Sequence, residues 1–421
     1  MNPFKRIDIL YIVTLLFLFL SSSANFLTAS DLGWFLVMFF MLIVAIRRKS
    51  LKVRDYKIIG YFSVIYLFFV AIRFVAINNL EPEYDFGPEY LVSDVLFLFK
   101  YIFLTFLFCT ILKEKALFYL VKVTVPLTVL SIFLYCFQLL GLGDLILKFS
   151  TALNLPNNIN TEGYTNFLVF SYSSFHEFRN SGFFWEPGSF ACFLIVILLF
   201  HLFLNKFTYD RTAIILIIGL VTTVSTTGYL ALLIIFFLSY RYKVPKINIW
   251  ILVLIPVSII IIINTPNLGD KIMNTFEEDM KSSRPHQLRI LERYNRKQKS
   301  QTPLNRFSSM VVIYKTFGNN LIFGVSNKYN VILNKTDDVN ISNGVFDFMA
   351  KFGLVGFIYL MYRYSRFCRV YLVRVELLIY GIFAFLIICI GEPVVFLPCM
   401  LSFLFLYPEQ VSTNRPQTAL V

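Results

Sequence analysis

Residues 178–204 read Phe178-Arg-Asn-Ser-Gly-Phe-Phe-Trp-Glu-Pro-Gly-Ser189, then Phe190-Ala-Cys-Phe-Leu-Ile-Val-Ile-Leu-Leu-Phe-His-Leu-Phe-Leu204. The second part holds no Asp, Glu, Lys or Arg. As a helix it is apolar all round, with no face to turn toward water, which is the mark of a membrane span or a fully enclosed helix. Pro187-Gly188 suits a tight start to that helix. The aromatic cluster before it fits an interfacial belt, but an Arg and a Glu inside such a belt are less routine. Arg179 and Glu186 are therefore candidate functional residues.

The rest of the chain repeats the theme. Its 421 residues are 57% hydrophobic and 15% charged, with a mean hydropathy of +0.70. A soluble surface of this size needs far more charge, so a polytopic membrane protein is expected. Runs of roughly 20 apolar residues, or fewer where a helix ends in a cavity, mark the spans. Twelve are expected, near 7–27, 31–46, 58–77, 95–112, 119–140, 189–204, 212–226, 228–240, 247–264, 345–362, 377–391 and 394–407. The organisation is then helices 1–9 over residues 1–264 with an external loop at 141–188, a large external loop at 265–344, and helices 10–12 plus a tail at 345–421.

The net charge of +13 could suggest nucleic acid, but its distribution follows the positive-inside rule instead. With the N-terminus inside, more than half of the 38 Lys and Arg fall in cytoplasmic segments, against Lys148 and Arg179 in the short external loops. Both termini are expected in the cytoplasm. Five of the six cysteines fall within expected spans and Cys368 in the cytoplasmic segment between the tenth and eleventh, so no disulfide framework is implied; they read as small buried hydrophobes. Three His in the whole chain give no metal-ligand spacing, and no phosphate loop, nucleotide fingerprint or Ser/His/Asp set is present. No metal and no cofactor are expected, so an activated donor must bring its own leaving group.

Polar residues inside the spans gather toward the external side. Lys351 and Asp347 lie one turn apart near the start of span 10, and Arg73 and Lys100 sit near external ends. Two hairpins are short. One turns at Ser225-Thr226-Thr227-Gly228 and the other at Gly391-Glu392-Pro393, leaving a depression floored by hydroxyls and one carboxylate. Within 281–306, Lys281, Arg284, Arg289, Arg293, Arg296, Lys297, Lys299 and Arg306 face a single acid, Glu292, with His286 among them. If that stretch is helical, Arg289, Arg293 and Arg296 share a face. Guanidinium forks outside a membrane suit a phosphate or pyrophosphate, while contact with anionic lipid is the plainer alternative.

Three stretches together resemble the O-antigen polymerase/ligase superfamily, the Wzy-type integral-membrane glycosyltransferases. They are Arg179 to Gly188 ahead of a span, Thr223-Val-Ser225-Thr-Thr-Gly228 at a hairpin tip, and the long loop. In the loop, Arg306 opens a stretch closing at Asn320-Leu-Ile-Phe-Gly324, followed by Ser342-Asn343-Gly-Val-Phe-Asp-Phe-Met-Ala-Lys-Phe-Gly353. The resemblance implies an all-α, GT-C-like membrane fold in the bacterial inner membrane with a periplasmic active site. It implies an O-antigen, capsular or other surface-polysaccharide polymerase within lipopolysaccharide-type biosynthesis. Its substrates would be undecaprenyl-pyrophosphate-linked oligosaccharides. Membrane lipids, a chain-length regulator and other assembly proteins would be its partners, with no nucleic acid.

The ligase branch carries a His where this chain has Ser342-Asn343, and an Arg where it has Thr226, which favours the polymerase. On this reading Arg179, Arg284, Arg289, Arg293 and Arg306 hold the pyrophosphate. Glu186 is the first choice of general base and His286 the second, while Ser225, Asn343, Asp347 and Lys351 make other substrate contacts. A ligase of the same superfamily, a lipid-linked oligosaccharide flippase or other transporter, and a membrane scaffold are the alternatives. No internal repeat and no cluster of midplane charge supports a transporter.

Overall fold

The computed structural model describes residues 8–80, 87–152, 164–244, 302–303, 306–330 and 339–406, and across them the chain is mostly helical. The expected span at 247–264, the basic stretch carrying Arg284, His286, Arg289 and Arg293, and the C-terminal tail lie outside the described residues. Among the described residues, four helices are long and apolar enough to cross a membrane. They are Val53–Val75, the run Pro88–Leu142, Pro187–Leu204 and Gly344–Tyr371.

The chain begins with α1 (Ile9–Ser22), α2 (Asp31–Arg47) and α3 (Val53–Leu80). The 55-residue run follows. It holds α4 (Pro88–Phe97), a π-helical turn (Leu98–Phe103), α5 (Leu104–Leu112) and α6 (Ala116–Phe137). It is broken at Lys113, whose φ of 50° cannot continue an α-helix, so the two spans expected at 95–112 and 119–140 separate there. Next come α7 (Gly143–Ala152), a short antiparallel pair of strands, β1 (Tyr164–Asn166) with β2 (Ser171–Ser173), and α8 (Pro187–Leu204). α9 (Arg211–Thr222) and α10 (Thr226–Lys243) form the first short hairpin. After the basic segment, strand β3 (Thr302–Pro303) pairs in parallel with β4 (Val339–Asn340), and α11 (Arg306–Phe317) lies between them in sequence. α12 (Gly344–Tyr371), α13 (Val375–Gly391) and a single turn α14 (Pro398–Leu401) complete the fold.

Composition decides which helices are central. α8 is uniformly apolar and 94% of its span window is buried, whereas the corresponding figure for α3 is 17%. α8 therefore forms the axis, packed by α6, α9, α10 and α13. α3 stands at the periphery with Tyr61, Val64, Ile65 and Phe68 exposed, the face a membrane helix turns to lipid. α10 and α13 make the most extensive helix pair. Gly391 faces Thr227 so closely that a Cβ at 391 would collide with the Thr227 side chain, which is how the tips of those two helices come together.

Two expectations change. The span expected at 394–407 is not a helix of that length: only Pro398–Leu401 forms an α-turn, extended by a 3-10 turn over Ser402–Leu404. Pro393 and Pro398 bias the residues before them away from helical backbone, and Leu397 indeed has ψ 147°. The irregular segment is tolerated because Val394, Val395, Leu397 and the following residues are buried inside the protein, away from lipid. Second, α12 is two helices meeting at Gly353, where φ 76° and ψ 167° interrupt the spiral. There Gly324, also at positive φ, approaches the Gly353 backbone, and Val325 N donates to Ala350 O at 2.6 Å. The strands β1 and β2 form within the stretch 141–188 that the sequence predicts as external loop.

Candidate functional site

At one end of the bundle the Arg179 loop docks on the α9–α10 tip. Asn180 N donates to Thr222 O at 2.9 Å and its Nδ2 to Thr222 Oγ1 at 2.9 Å. Arg179 Nε donates to Thr223 O at 3.1 Å. The tip itself is set by Ser225, whose side chain caps α10 by accepting from Gly228 N at 3.3 Å. Two stretches that are separate in sequence, Arg179 to Gly188 and Thr223 to Gly228, thus form one structural unit. Ser225 is buried and spent on the cap.

The same end receives α11, α12 and α13. Arg306, the first residue of α11, donates from Nε to Gly391 O at 2.7 Å and from its terminal nitrogen to Glu392 Oε1 at 3.3 Å. Asn343 caps α12, its Oδ1 accepting from Val345 N and Phe346 N at 3.1 Å each, while its Nδ2 donates to Arg306 O at 3.1 Å. The first-turn glycines of α8 and α12 make room for Glu392. A Cβ on Gly188 would fall on the Glu392 carboxyl, and one on Gly344 on the Glu392 carbonyl. Gly391-Glu392 therefore sits where the N-termini of α8, α10 and α12 converge, and helix N-termini favour negative charge.

Glu186 is the N-cap residue of α8. Its Oε1 accepts from Trp185 Nε1 at 2.9 Å and from Ser189 Oγ at 3.1 Å, which fixes the carboxyl. The Glu392 carboxyl lies against the first turn of α8, on Gly188, two residues from Glu186. Glu392 follows α13, outside the helical spans; burial, then the charge of Glu186, pushes its carboxyl well above the usual carboxylate range, against the opposing pull of Arg306 and Arg179. Arg179 has its pKa lowered by burial, partly offset by Glu392 and Glu186. The site is thus two guanidiniums, Arg179 and Arg306, around two carboxyls, Glu186 and Glu392. Tyr229, whose hydroxyl donates to Val221 O at 2.8 Å, stands near Arg179. Sequence reading located Arg179, Glu186 and Arg306 but carried Glu392 only as the carboxylate of a hairpin tip. Its signal was the Gly391-Glu392-Pro393 break between apolar runs.

Asp347 and Lys351 lie deeper, in a second network. Lys351 Nζ reaches Asp347 Oδ2 at 2.9 Å, and Tyr329 donates to Asp347 Oδ1 at 2.7 Å. Lys351 Nζ also stands 3.6 Å from the centre of the Phe396 ring. Arg73 pairs with Asp94 at 2.6 Å and donates to the Lys351 carbonyl, and Asp94 accepts from Asn327 N at 2.8 Å. These contacts tie α3, α4, the 325–330 segment and α12 together. The opposite end of the bundle holds Arg241 and Arg374 around Glu376 at 3.0 and 3.1 Å, and His201 against Asp210 at 2.8 Å. Among the described residues no group of three or more His, Cys, Asp or Glu could hold a metal.

Residues 212–361 match the family model described as O-antigen ligase, which supports the resemblance to the O-antigen polymerase/ligase superfamily. The matched stretch contains Ser225, Tyr229, Arg306 and Asn343; Arg179, Glu186 and Glu392 reach the same site from outside it. No curated protein and no solved structure matches the chain.

Proposed function

We propose that the protein is a surface-polysaccharide polymerase working at the outer face of a bacterial cytoplasmic membrane. The donor is a glycan carried on polyprenyl pyrophosphate and the acceptor is the terminal sugar of a second lipid-linked unit. The acceptor hydroxyl attacks the anomeric carbon; the new C–O bond forms as the bond to the pyrophosphate oxygen breaks, and polyprenyl pyrophosphate departs with that electron pair.

The observation that carries this reading is the convergence of Arg179 and Arg306 with Glu186 and Glu392 at three helix N-termini. Fixed guanidiniums and backbone N–H groups are aimed where charge accumulates on a leaving pyrophosphate, which is the arrangement that lowers such a barrier. Glu186, held by Trp185 and Ser189, receives the acceptor proton. Arg284, Arg289 and Arg293 would add to the pyrophosphate contacts, with His286 the second choice of base. Asp347 and Lys351, paired with each other, hold the first half of α12 beneath the site. Orientation follows the positive-inside rule, which puts the Arg241–Arg374 end in the cytoplasm. A chain-length regulator is the expected partner.

A ligase is the second reading, favoured by the description of the matching family model. Against it, the place at which ligases carry a His reads Ser342-Asn343, and the Asn343 side chain is committed to capping α12. Deletion of the gene in its host, with the surface glycan resolved by gel, separates them. A single repeat unit still attached to its anchor is the expected result. Loss of all surface glycan with lipid-linked polymer retained means ligase, and lipid-linked units trapped in the cytoplasmic leaflet mean flippase.

A further inference from the structure

α6 holds 22 residues, roughly 33 Å of helix, so it crosses the ~30 Å hydrocarbon core by itself. Its far end grips the Arg179 loop: Tyr135 Oη donates to Phe178 O at 2.8 Å and Gln138 Nε2 to Glu177 O at 2.5 Å. The chain then turns at Gly141, with φ 80°, and α7 starts at the level of that loop. One side of α7 is committed to the protein. Ile146 and Leu147 pack with Tyr135, Phe170 and Tyr172, and a Cβ on Gly143 would collide with the Tyr172 ring. The other side is uncovered. Leu145, Lys148, Phe149 and Ala152 fall at i, i+3, i+4 and i+7, on one face, and all four are exposed. Leu140, in the turn before the helix, Leu145 and Phe149 are each more than half exposed. This patch continues the face of α6 that carries Val129, Phe133 and Phe137, exposed along the apolar run Pro88–Leu142.

We propose that α7 is an interfacial anchor: Leu140, Leu145 and Phe149 are immersed in the outer leaflet where acyl chains meet headgroups, and Lys148 extends over them to lipid phosphates. Three observations make lipid the occupant. The patch is continuous with the lipid-facing side of α6, it lies where α6 leaves the hydrocarbon, and it joins large apolar side chains to a cation on the same face. The anchoring itself needs only a membrane; its bearing on the site rests on the polymerase reading. α7 is tied to the Arg179 loop twice, through the end of α6 and through β2, where Ser171 N donates to Gly182 O at 2.6 Å. An anchored α7 therefore holds Arg179 at the depth of the lipid headgroups, which is where the pyrophosphate of a lipid-linked glycan lies.

The test uses the full-length protein in a Cys136→Ser background, since the other five cysteines are buried. Leu145→Cys, Phe149→Cys, Phe133→Cys and Glu177→Cys are each labelled with bimane in detergent and returned to phosphatidylcholine vesicles with or without brominated acyl chains. Brominated lipid should quench the labels at 145 and 149 nearly as strongly as the one at 133, on the lipid face of α6. Acrylamide in the water should quench the label at 177 and spare those two. Labels at 145 and 149 that behave like 177 would overturn the anchor. Labels there that neither quencher reaches would also overturn it, because a second copy or another stretch of protein then covers the patch. In cells, the double variant Leu145→Ser with Phe149→Ser should keep its thermal stability, both side chains being exposed, and form about tenfold less polymer, as for a displaced binding group. Leu145→Trp with Phe149→Trp should form polymer as wild type does, because tryptophan suits the interface. Loss in the tryptophan pair as well would point to a shaped protein contact and sink the lipid assignment. Unchanged polymer in the serine pair would overturn the link from α7 to Arg179. Quenching is read without substrate, so a failed polymerase reading would leave the anchor standing.

Discussion

Arg306 closes the last turn of α13: its Nε donates to Gly391 O at 2.7 Å while the same guanidinium reaches Glu392 at 3.3 Å. One side chain thereby couples α11 to the tip that carries the Glu392 carboxyl. A lysine offers a point charge without the fork, so it can meet the carboxylate or the carbonyl but not both in this geometry. Arg306→Lys should therefore cost about 1 kcal/mol in thermal stability, a modest figure because the side chain is 38% exposed. Its effect on glycan polymerisation in cells should be larger, roughly tenfold or more, as for removal of a preorganised charge at a developing anion. Equal and small effects on both would remove Arg306 from the site.

The two glycines beside Glu392 make separable predictions. At Gly344 a Cβ would strike the backbone carbonyls of Glu392 and Cys389, which cannot move without shifting α13. At Gly188 it would strike only the end of the Glu392 side chain, which can rotate away. Gly344→Ala should lower stability by ~1–3 kcal/mol, the usual range for overpacking. Gly188→Ala should change stability much less yet depress polymer formation, since it dislodges the Glu392 carboxyl from the first turn of α8. Denaturation midpoints and surface-glycan gels on the pair decide this; a stability loss at Gly188 matching that at Gly344 would contradict it.

Much of this was legible in the sequence, for identifiable reasons. The apolar run from Phe190 to Leu204 and the break at Ser225 follow from local composition; the caps made by Ser225 and Asn343 do not, since the sequence offers both residues as substrate contacts. Hydropathy misread the segment after Pro393, because an apolar run buried as irregular chain has the same composition as a span; only its prolines distinguish them. Glu392 was visible as a polar break in an apolar hairpin. Its place against the first turn of α8 was not, since contact between distant segments depends on where Gly188 and Gly344 let the chains approach. Lys351 and Asp347 showed the opposite problem: depth and spacing marked them, but not Tyr329, which donates to Asp347, or Arg73, which donates to the Lys351 carbonyl.

That second network predicts a stability effect separable from function. Lys351→Met leaves the buried Asp347 side chain with Tyr329 as its side-chain partner among the described residues, and breaking a buried pair costs ~3–5 kcal/mol. Adding Asp347→Asn removes the stranded carboxyl while keeping an acceptor for Tyr329, so the double variant should regain most of that loss. Unfolding measurements on the two single variants and the double variant form a complete cycle. Polymer formation should return with stability. A stable but inactive double variant would show that Asp347 and Lys351 touch substrate.

Orientation is tested by labelling at the two ends. Five of the six cysteines are buried and Cys136 is exposed, so Cys136→Ser gives a background with little thiol reactivity. Phe178 sits 74% exposed on the docking loop beside Arg179, and Val373 sits 80% exposed between α12 and α13 at the Arg374 end. With the site facing outward, a membrane-impermeant maleimide should label Phe178→Cys in intact cells or spheroplasts and Val373→Cys only after permeabilisation. The argument is one of charge: the Val373 end carries Arg241, Lys243, Arg363, Arg366, Arg369 and Arg374, which short loops retain on the cytoplasmic side. The reverse labelling pattern would place Arg179, Arg306 and Glu392 in the cytoplasm, where a lipid-linked repeat unit already moved across the membrane could not reach them, and the polymerase reading would fall with it.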